Sequence, residues 1–373
     1  MKAVAVLPAK RDVRLITCAP PKLEHPTQVK LRMLDIGVCG TDREICAFQY
    51  GTPPLGADYL VIGHESLGEV VDIGPAVSHV KVGDLAVLRV RRPCLHATCV
   101  ACRAGRQDFC YTGDFTERGI KGAHGFLTEF VVDDEQYMNS VPAALRDVAV
   151  LVEPLAIGEK ALLQFRQVQQ RLPWACPVAS DKSPTFCHKA VVLGAGPVGL
   201  LGAMALVVNG FETCLYSREL STSPQATFTR AIGATYACSQ IETPEQLADH
   251  LGNIDLVYEA TGVAQMSFQM MEVLGTNGVF VFTGIPGRKG PIEMDADLIM
   301  RNLVLKNQIV YGTVNAGPQA FEAAIKDLGT FMQRWPDAVR SLITGRYPIE
   351  EARELLLSPP SGIKNVITLN GAQ

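Results

Sequence analysis

The stretch that decides the fold is VVLGAGPVGLLGAMALVVNG, residues 191–210. A short apolar run leads directly into Gly194-x-Gly196-x-x-Gly199, and a second apolar run of helical length follows. The order is strand, turn, helix. Gly194 allows the tight turn, Gly196 lets a pyrophosphate approach the backbone, and Gly199 permits close packing of helix on strand. Pro197 and Val198, between the second and third glycines, belong to the same turn, and the helix N-terminus offers free N–H groups to the anion. Residues 190–208 are also uncharged for 19 positions, about the length that spans a bilayer. Their four glycines and one proline cluster at the centre, so a buried strand, a turn and a packed helix explain the run better than a membrane span does.

Outward from this turn, apolar strands alternate with helices from Lys189 to about Ile309: KAVVLGAG, ETCLYS, IDLVYEAT and GVFVFTG. Such alternation predicts a doubly wound parallel sheet covered on both faces. The end of the second strand selects the dinucleotide. NAD sites place an acid there for the ribose hydroxyls, whereas this chain reads LYSRELS, with Ser217 and Arg218 ahead of Glu219. A forked guanidinium suits a 2′-phosphate. NADP is preferred, and use of NAD as well stays open.

Residues 1–150 have a different texture. Short β-like runs (VKLRMLDI, GHESLGEVVDIG, GDLAVLRV, LTEFVVD) are separated by glycine turns, as in a compact antiparallel barrel. LVEPLAIGEKALLQFRQVQQRL, residues 151–172, reads as a long amphipathic helix. The proline-rich PWACPVASDKSPTFC, residues 173–187, reads as a connecting loop and the domain border. Residues 1–188, completed by 311–373, are expected to form one domain and 189–310 the nucleotide-binding domain.

With 47% hydrophobic and 19% charged residues the chain is globular, and a net charge of −4 gives no basic surplus for nucleic acid or an acidic membrane. The start, MKAVAVLPAKRD, lacks the apolar core and cleavage site of a signal peptide, which points to the cytoplasm. Eleven cysteines in such a compartment stay reduced, which leaves metal or redox chemistry.

CLHATCVACRAGRQDFC, residues 94–110, holds Cys94, Cys99, Cys102 and Cys110. A tight loop with a C-x2-C step can wrap four thiolates round one zinc, giving a closed structural site. His96, three residues before Cys99, competes with Cys94 for the fourth place, and Cys94 is preferred. A second set, Cys39, His64 and Glu65, comes from GVCGTDREI and GHESLGEVV. Thiolate, imidazole and carboxylate with a vacancy is the pattern of a catalytic zinc, at which an alcohol loses its proton more readily. Thr41, two residues after Cys39, is placed to relay that proton.

Together these motifs resemble the zinc-dependent medium-chain alcohol dehydrogenases over essentially the whole chain. VCGTDREI, RQDFCYTG, LVEPLAIGEKAL and YGTVNAG are most similar to the archaeal-type glucose 1-dehydrogenase branch. The resemblance implies an α/β protein: a GroES-like β-barrel catalytic domain plus a Rossmann nucleotide-binding domain, with two zincs per chain. It implies Cys39 and His64 as catalytic-zinc ligands, Glu65 as the adjacent acid, and Glu153 linked to the metal where many relatives have a cysteine. Glu117 and Asn315 match positions that recognise sugar hydroxyls. Glu44 stands where many relatives extend the proton relay with a histidine. The implied substrate is an aldose oxidised at C1, and the implied assembly is a dimer or tetramer, with GVFVFTG as a candidate edge segment. Two rivals keep the same motifs: a polyol, threonine or simple alcohol dehydrogenase, and a non-catalytic zinc protein that senses NADP(H).

Overall fold

The computed structural model describes residues 1–173, 188–287 and 290–369. The chain divides into two compact units: Met1–Glu153 with Asn315–Gly329 and Val339–Gln373, and Pro154–Val314 with Thr330–Ala338. The loop expected at 173–187 lies, but for Pro173, outside the described residues.

In the first unit the long strand Gln28–Gly37 is the spine. It pairs antiparallel with Glu65–Ile73 on one side and with Lys364–Thr368 on the other, and Phe130–Asp134 also pairs with it. Outer strands Leu85–Leu88, Met138–Val141 and Ile343–Pro348 complete a seven-stranded sheet, and Asp12–Thr17, Lys2–Leu7 and Leu60–Val61 form a three-stranded one. The strands are not all antiparallel: Ile343–Pro348 runs parallel to Lys364–Thr368. Alternation along QVKLRMLDIG puts Val29, Leu31 and Met33 into a core with Val4, Ile62, Phe126 and Ile367. The register that matters for chemistry is at one end of the spine. Gly37 faces Glu65 on one neighbour and Val366 on the other, so the chain's last strand is brought beside the acid.

The second unit holds six parallel strands in the order Thr235–Cys238, Phe211–Ser217, His188–Leu193, Leu256–Glu259, Val279–Phe282 and Ile309–Gly312. Numbered along the chain this is 3-2-1-4-5-6, the doubly wound order whose switch point lies beside the first strand. Val191, Leu193, Val257 and Phe280 fill the core under flanking helices. The GVFVFTG segment is not an edge, because Ile309–Gly312 pairs outside it. Residues 190–208 fold as the first strand, a turn and helix Pro197–Val208, and no helix among the described residues is long and apolar enough to cross a membrane.

Candidate active site and metal centres

The glycine turn is sterically determined. Gly194 sits at φ +102°, and a Cβ there would stand 2.6 Å from Thr261 Cγ2. A Cβ on Gly199 would stand 2.1 Å from the carbonyl oxygen of Gly194, so helix and turn can close only on glycine. Around Gly196 nothing lies within 4 Å of the same position. That open cradle, at the N-terminus of helix Pro197–Val208, is where backbone N–H groups can meet a pyrophosphate. Glu259, fully buried at the end of the fourth strand, holds the facing loop. Its carboxylate accepts from Thr261 N and Oγ1, Gly262 N and Gly284 N at 2.6–3.1 Å. Ser217 closes the second strand and its hydroxyl donates to Glu219, while the Arg218 side chain is 82% exposed. Arg218 Nε reaches the neighbouring Glu219 carboxylate at 3.5 Å, a long, exposed pair that an anion can displace.

In the first unit, Cys39 caps helix Gly40–Cys46, and its N–H donates to the carboxylate of Asp42 at 2.9 Å. His64 and Glu65 enter the next strand of the sheet behind Gly63. Ligand atoms of Cys39, His64 and Glu65 all lie within 4.8 Å of one another. Thiol, imidazole and carboxylate at that separation suit one tetrahedral zinc. His64 Nδ1 lies 3.2 Å from Asp42 Oδ1, which leaves Nε2 for an ion. Burial opposes a charged imidazole here, yet Asp42 holds its proton affinity well above the ordinary range. Thr41 lies on the first turn of the same helix, and its hydroxyl makes no hydrogen bond among the described residues.

Two features of this centre add to the sequence reading. Glu65 is paired with a cation: Lys364 Nζ donates to both carboxylate oxygens at 2.7 and 2.6 Å and to the carbonyl of Val38 at 3.1 Å. Both side chains are almost wholly buried, 1% and 2% exposed. Lys364 resists deprotonation despite burial, because Glu65 and Cys39 favour its charge. Glu153 is buried nearby but is not brought into the close group of ligand atoms. Burial, reinforced by Glu65 and Asp42 and opposed by His64 and Lys364, pushes its carboxyl up to about 7.

The four cysteines of 94–110 converge, with all four sulfurs within 4.8 Å of one another. His96 is turned away and pairs with Asp114 at the surface. Burial pushes the Cys102 thiol up to about 12, while Cys110 falls to about 6 because bonds from Thr112 and Cys102 outweigh the upward push of burial. Four sulfurs this close suit one divalent ion, which takes all four as thiolates. Replacing Cys102 by serine is expected to cost on the order of 2 kcal/mol, lowering the unfolding transition by roughly 5 °C. Turnover below that transition should stay within about twofold. Thermal unfolding and zinc content together check this; unchanged stability with one zinc lost would remove the structural role.

Glu117 and Asn315, 198 positions apart, meet: Asn315 Nδ2 donates to Glu117 Oε1 at 2.8 Å. Arg91 donates to the same oxygen from Nε and Nη2 at 3.1 and 2.9 Å, with its guanidinium 3.7 Å over the Phe115 ring. All three are buried, Glu117 Oε2 takes no hydrogen bond among the described residues, and Asn315 adopts the left-handed φ of +59°. The cluster holds a charged acceptor in fixed orientation, a device for a ligand hydroxyl. Arg91 escaped the sequence reading because an Arg-Arg pair looks like a solvated surface.

Known proteins share this architecture. Residues 25–143 match the model of the alcohol dehydrogenase GroES-like domain, and residues 146–369 that of the glucose dehydrogenase C-terminus. The glucose 1-dehydrogenase of Methanocella arvoryzae is 36% identical over 371 residues, 99% of each chain. Glucose 1-dehydrogenase 1 of Caldivirga maquilingensis is 35% identical over the same shares. Among solved structures, the Haloferax mediterranei glucose dehydrogenase in complex with NADP, Zn and gluconolactone superposes with a TM-score of 0.87 at 31% identity, covering 100% of both chains.

Proposed function

Because this chain belongs to the zinc-dependent medium-chain alcohol dehydrogenases, in their glucose dehydrogenase branch, we propose that it oxidises the C1 hydroxyl of an aldose to the lactone with NADP, or NAD, as acceptor. The observation that carries this reading is the full-length likeness to glucose 1-dehydrogenases. The division of labour follows the family: 1–188 with 311–373 for metal and sugar, 189–310 for the nucleotide.

Cys39 and His64 are the protein groups that would hold the catalytic zinc, with Glu65 beside them and Glu153 at longer range; Cys94, Cys99, Cys102 and Cys110 would hold the structural one. When bound, the catalytic ion supplies Lewis acidity toward the sugar's C1 oxygen, and the nicotinamide supplies the hydride acceptor. Asp42 fixes the His64 ring, and Lys364 keeps Glu65 charged and in place. The unpartnered Thr41 hydroxyl takes the proton that leaves the C1 hydroxyl and passes its own onward. Glu44 lies one helical turn further on, where many relatives continue the relay with histidine. With that proton removed, the C1 hydride would leave to the nicotinamide when it is bound, and the C1–O double bond of the lactone would form. Glu117 Oε2 accepts from a sugar hydroxyl, while Arg91 and Asn315 hold Glu117 in register. The open cradle at Gly196 takes the pyrophosphate, with Pro197, Val198 and Gly199 opening the helix, and Ser217 and Arg218 meet the ribose end.

We place the protein in the cytoplasm, where its described cysteines, all free, stay reduced. A dimer or tetramer is the proposed assembly, with Ile309–Gly312 as the outer strand open to pairing. Arg218→Ala should raise the KM for NADP by roughly tenfold to a hundredfold and leave that for NAD nearly unchanged, the loss of one charge-assisted contact. Steady-state kinetics with both nucleotides check it; equal change for both would remove Arg218 from 2′-phosphate recognition. A panel of aldoses, polyols and primary alcohols with both nucleotides tests the reaction. Turnover of polyols or alcohols with none of any aldose would overturn the sugar assignment.

A further inference from the structure

Arg89, directly after strand Leu85–Leu88 in the first unit, is a buried guanidinium with no ion pair within 4 Å among the described residues, and Glu322 and Asp108 attract it only from longer range. It is 7% exposed, its Nε has no hydrogen bond, and among the described residues no acceptor takes its Nη groups. The obvious local carboxylate is already shared: Asp133 binds Arg92 through both oxygens, at 3.3 and 2.5 Å, and stands 3.6 Å from Arg118. The ring of Tyr137 stands 5.8 Å away, and Arg92 lies closer over that ring at 4.0 Å. An arginine cannot shed its proton to escape this. Burial and the like charge of Arg92 instead hold its affinity for that proton below the usual range. A buried charge so incompletely compensated is penalised until something anionic meets it at close range.

Arg89 lines a cavity of about 500 Å3, within the range of small-molecule sites and larger than bare phosphate needs. His79 lines it too and adds a second nitrogen donor. Two of the acids around it are spent on the chain. Asp134 accepts from Thr27 Oγ1 at 2.6 Å and Gln136 N at 3.0 Å, and Glu135 accepts from the backbone of Ser78 and His79 at 2.9 Å. The third, Glu322, is exposed and forms no ion pair among the described residues. None of these groups belongs to the metal, sugar or nucleotide sites.

We propose that this cavity binds a metabolite through its oxyanion, a phosphate or a carboxylate, with the forked guanidinium of Arg89 as the anchor and His79 as a second donor. A planar fork with two parallel donors is matched to either group.

The test is calorimetric titration of the full-length, zinc-loaded protein, saturated with NADP so that the anion positions of the nucleotide unit are filled. Inorganic phosphate and succinate are titrated separately, which distinguishes the two sources of oxyanion. At least one probe should bind with a Kd in the millimolar range or below. Arg89→Leu should weaken it about tenfold or more without lowering the melting temperature, because the substitution removes a buried charge that no close ion pair supports. Arg89→Lys, which keeps the charge and loses the fork, should fall between, and it serves if the leucine variant does not fold. Glu322→Gln should tighten binding by removing a competing carboxylate. The proposal is overturned if neither probe binds, if wild type and the Arg89 variants bind alike, or if Glu322→Gln lowers the melting temperature as the loss of Arg89's own native partner would.

Discussion

Replacing Cys39 by serine is expected to lower sugar-dependent turnover by about a thousandfold or more, while nucleotide binding stays within about twofold. A thiolate, an imidazole and a carboxylate are arranged for one ion, and the thiolate is the strongest of them toward zinc. A serine hydroxyl at that position stays protonated and ligates poorly, so the ion's share of the barrier, several kcal/mol, is lost. The nucleotide cradle depends on Gly194, Gly196 and Gly199 in the second unit and on no group of the metal centre. Steady-state rates, zinc content and fluorescence titration with NADPH check the separation. A serine variant that lost NADPH affinity in proportion to rate would show that metal and nucleotide positions are not the independent sites argued above.

The second large effect concerns stability. Lys364→Met removes the cation that donates to both oxygens of Glu65 and leaves a carboxylate almost wholly buried. Breaking a buried pair from one side costs about 3–5 kcal/mol, because the remaining charge has lost both water and partner. The cost should be specific to that charge. In the double variant Lys364→Met with Glu65→Gln, roughly half of it should return, since an unpaired neutral amide is penalised less than an unpaired carboxylate. Denaturant unfolding of the single and double variants measures both. A single variant as stable as the parent would mean that Glu65 does not need Lys364, and additive losses would mean that the two do not act as a pair. Lys364 is thus a positioning residue, and its loss should also weaken zinc retention at Cys39 and His64.

What could be read from the chain and what could not follows from how local each constraint is. The glycine turn was legible because each glycine meets a steric demand set within a few residues: Gly199 against the carbonyl of Gly194, Gly194 by its own φ. The cysteine loop was legible for the same reason, since seventeen residues hold all four sulfurs and only the choice between Cys94 and His96 stayed open; the structure places Cys94 among them and His96 on Asp114. Cys39, His64 and Glu65 stood out by donor chemistry. Their supports did not. Lys364 is 299 positions from Glu65, and the two meet only because Lys364–Thr368 and Glu65–Ile73 flank the same strand, a pairing no local pattern encodes. Asp42 was in view in VCGTDREI, three residues from Cys39, but its two tasks, capping Cys39 and facing His64, appear only in three dimensions. The sheet edge was misjudged because GVFVFTG and the residues of Ile309–Gly312 are both short apolar strands, and order within a parallel sheet is a tertiary property. Arg89 and Arg91 carried no signal either, since burial of an arginine is invisible in composition.

The account stands on a zinc ion at Cys39 and His64 acting on the C1 hydroxyl of a sugar. The most direct measurement is elemental analysis paired with the sugar-dependent rate, made before chelation, after it, and after zinc is returned. Two zincs per chain in active protein, near-complete loss of rate when the more labile one is removed, and recovery on adding zinc back are predicted. Metal-free protein that oxidised aldoses at the original rate would contradict it.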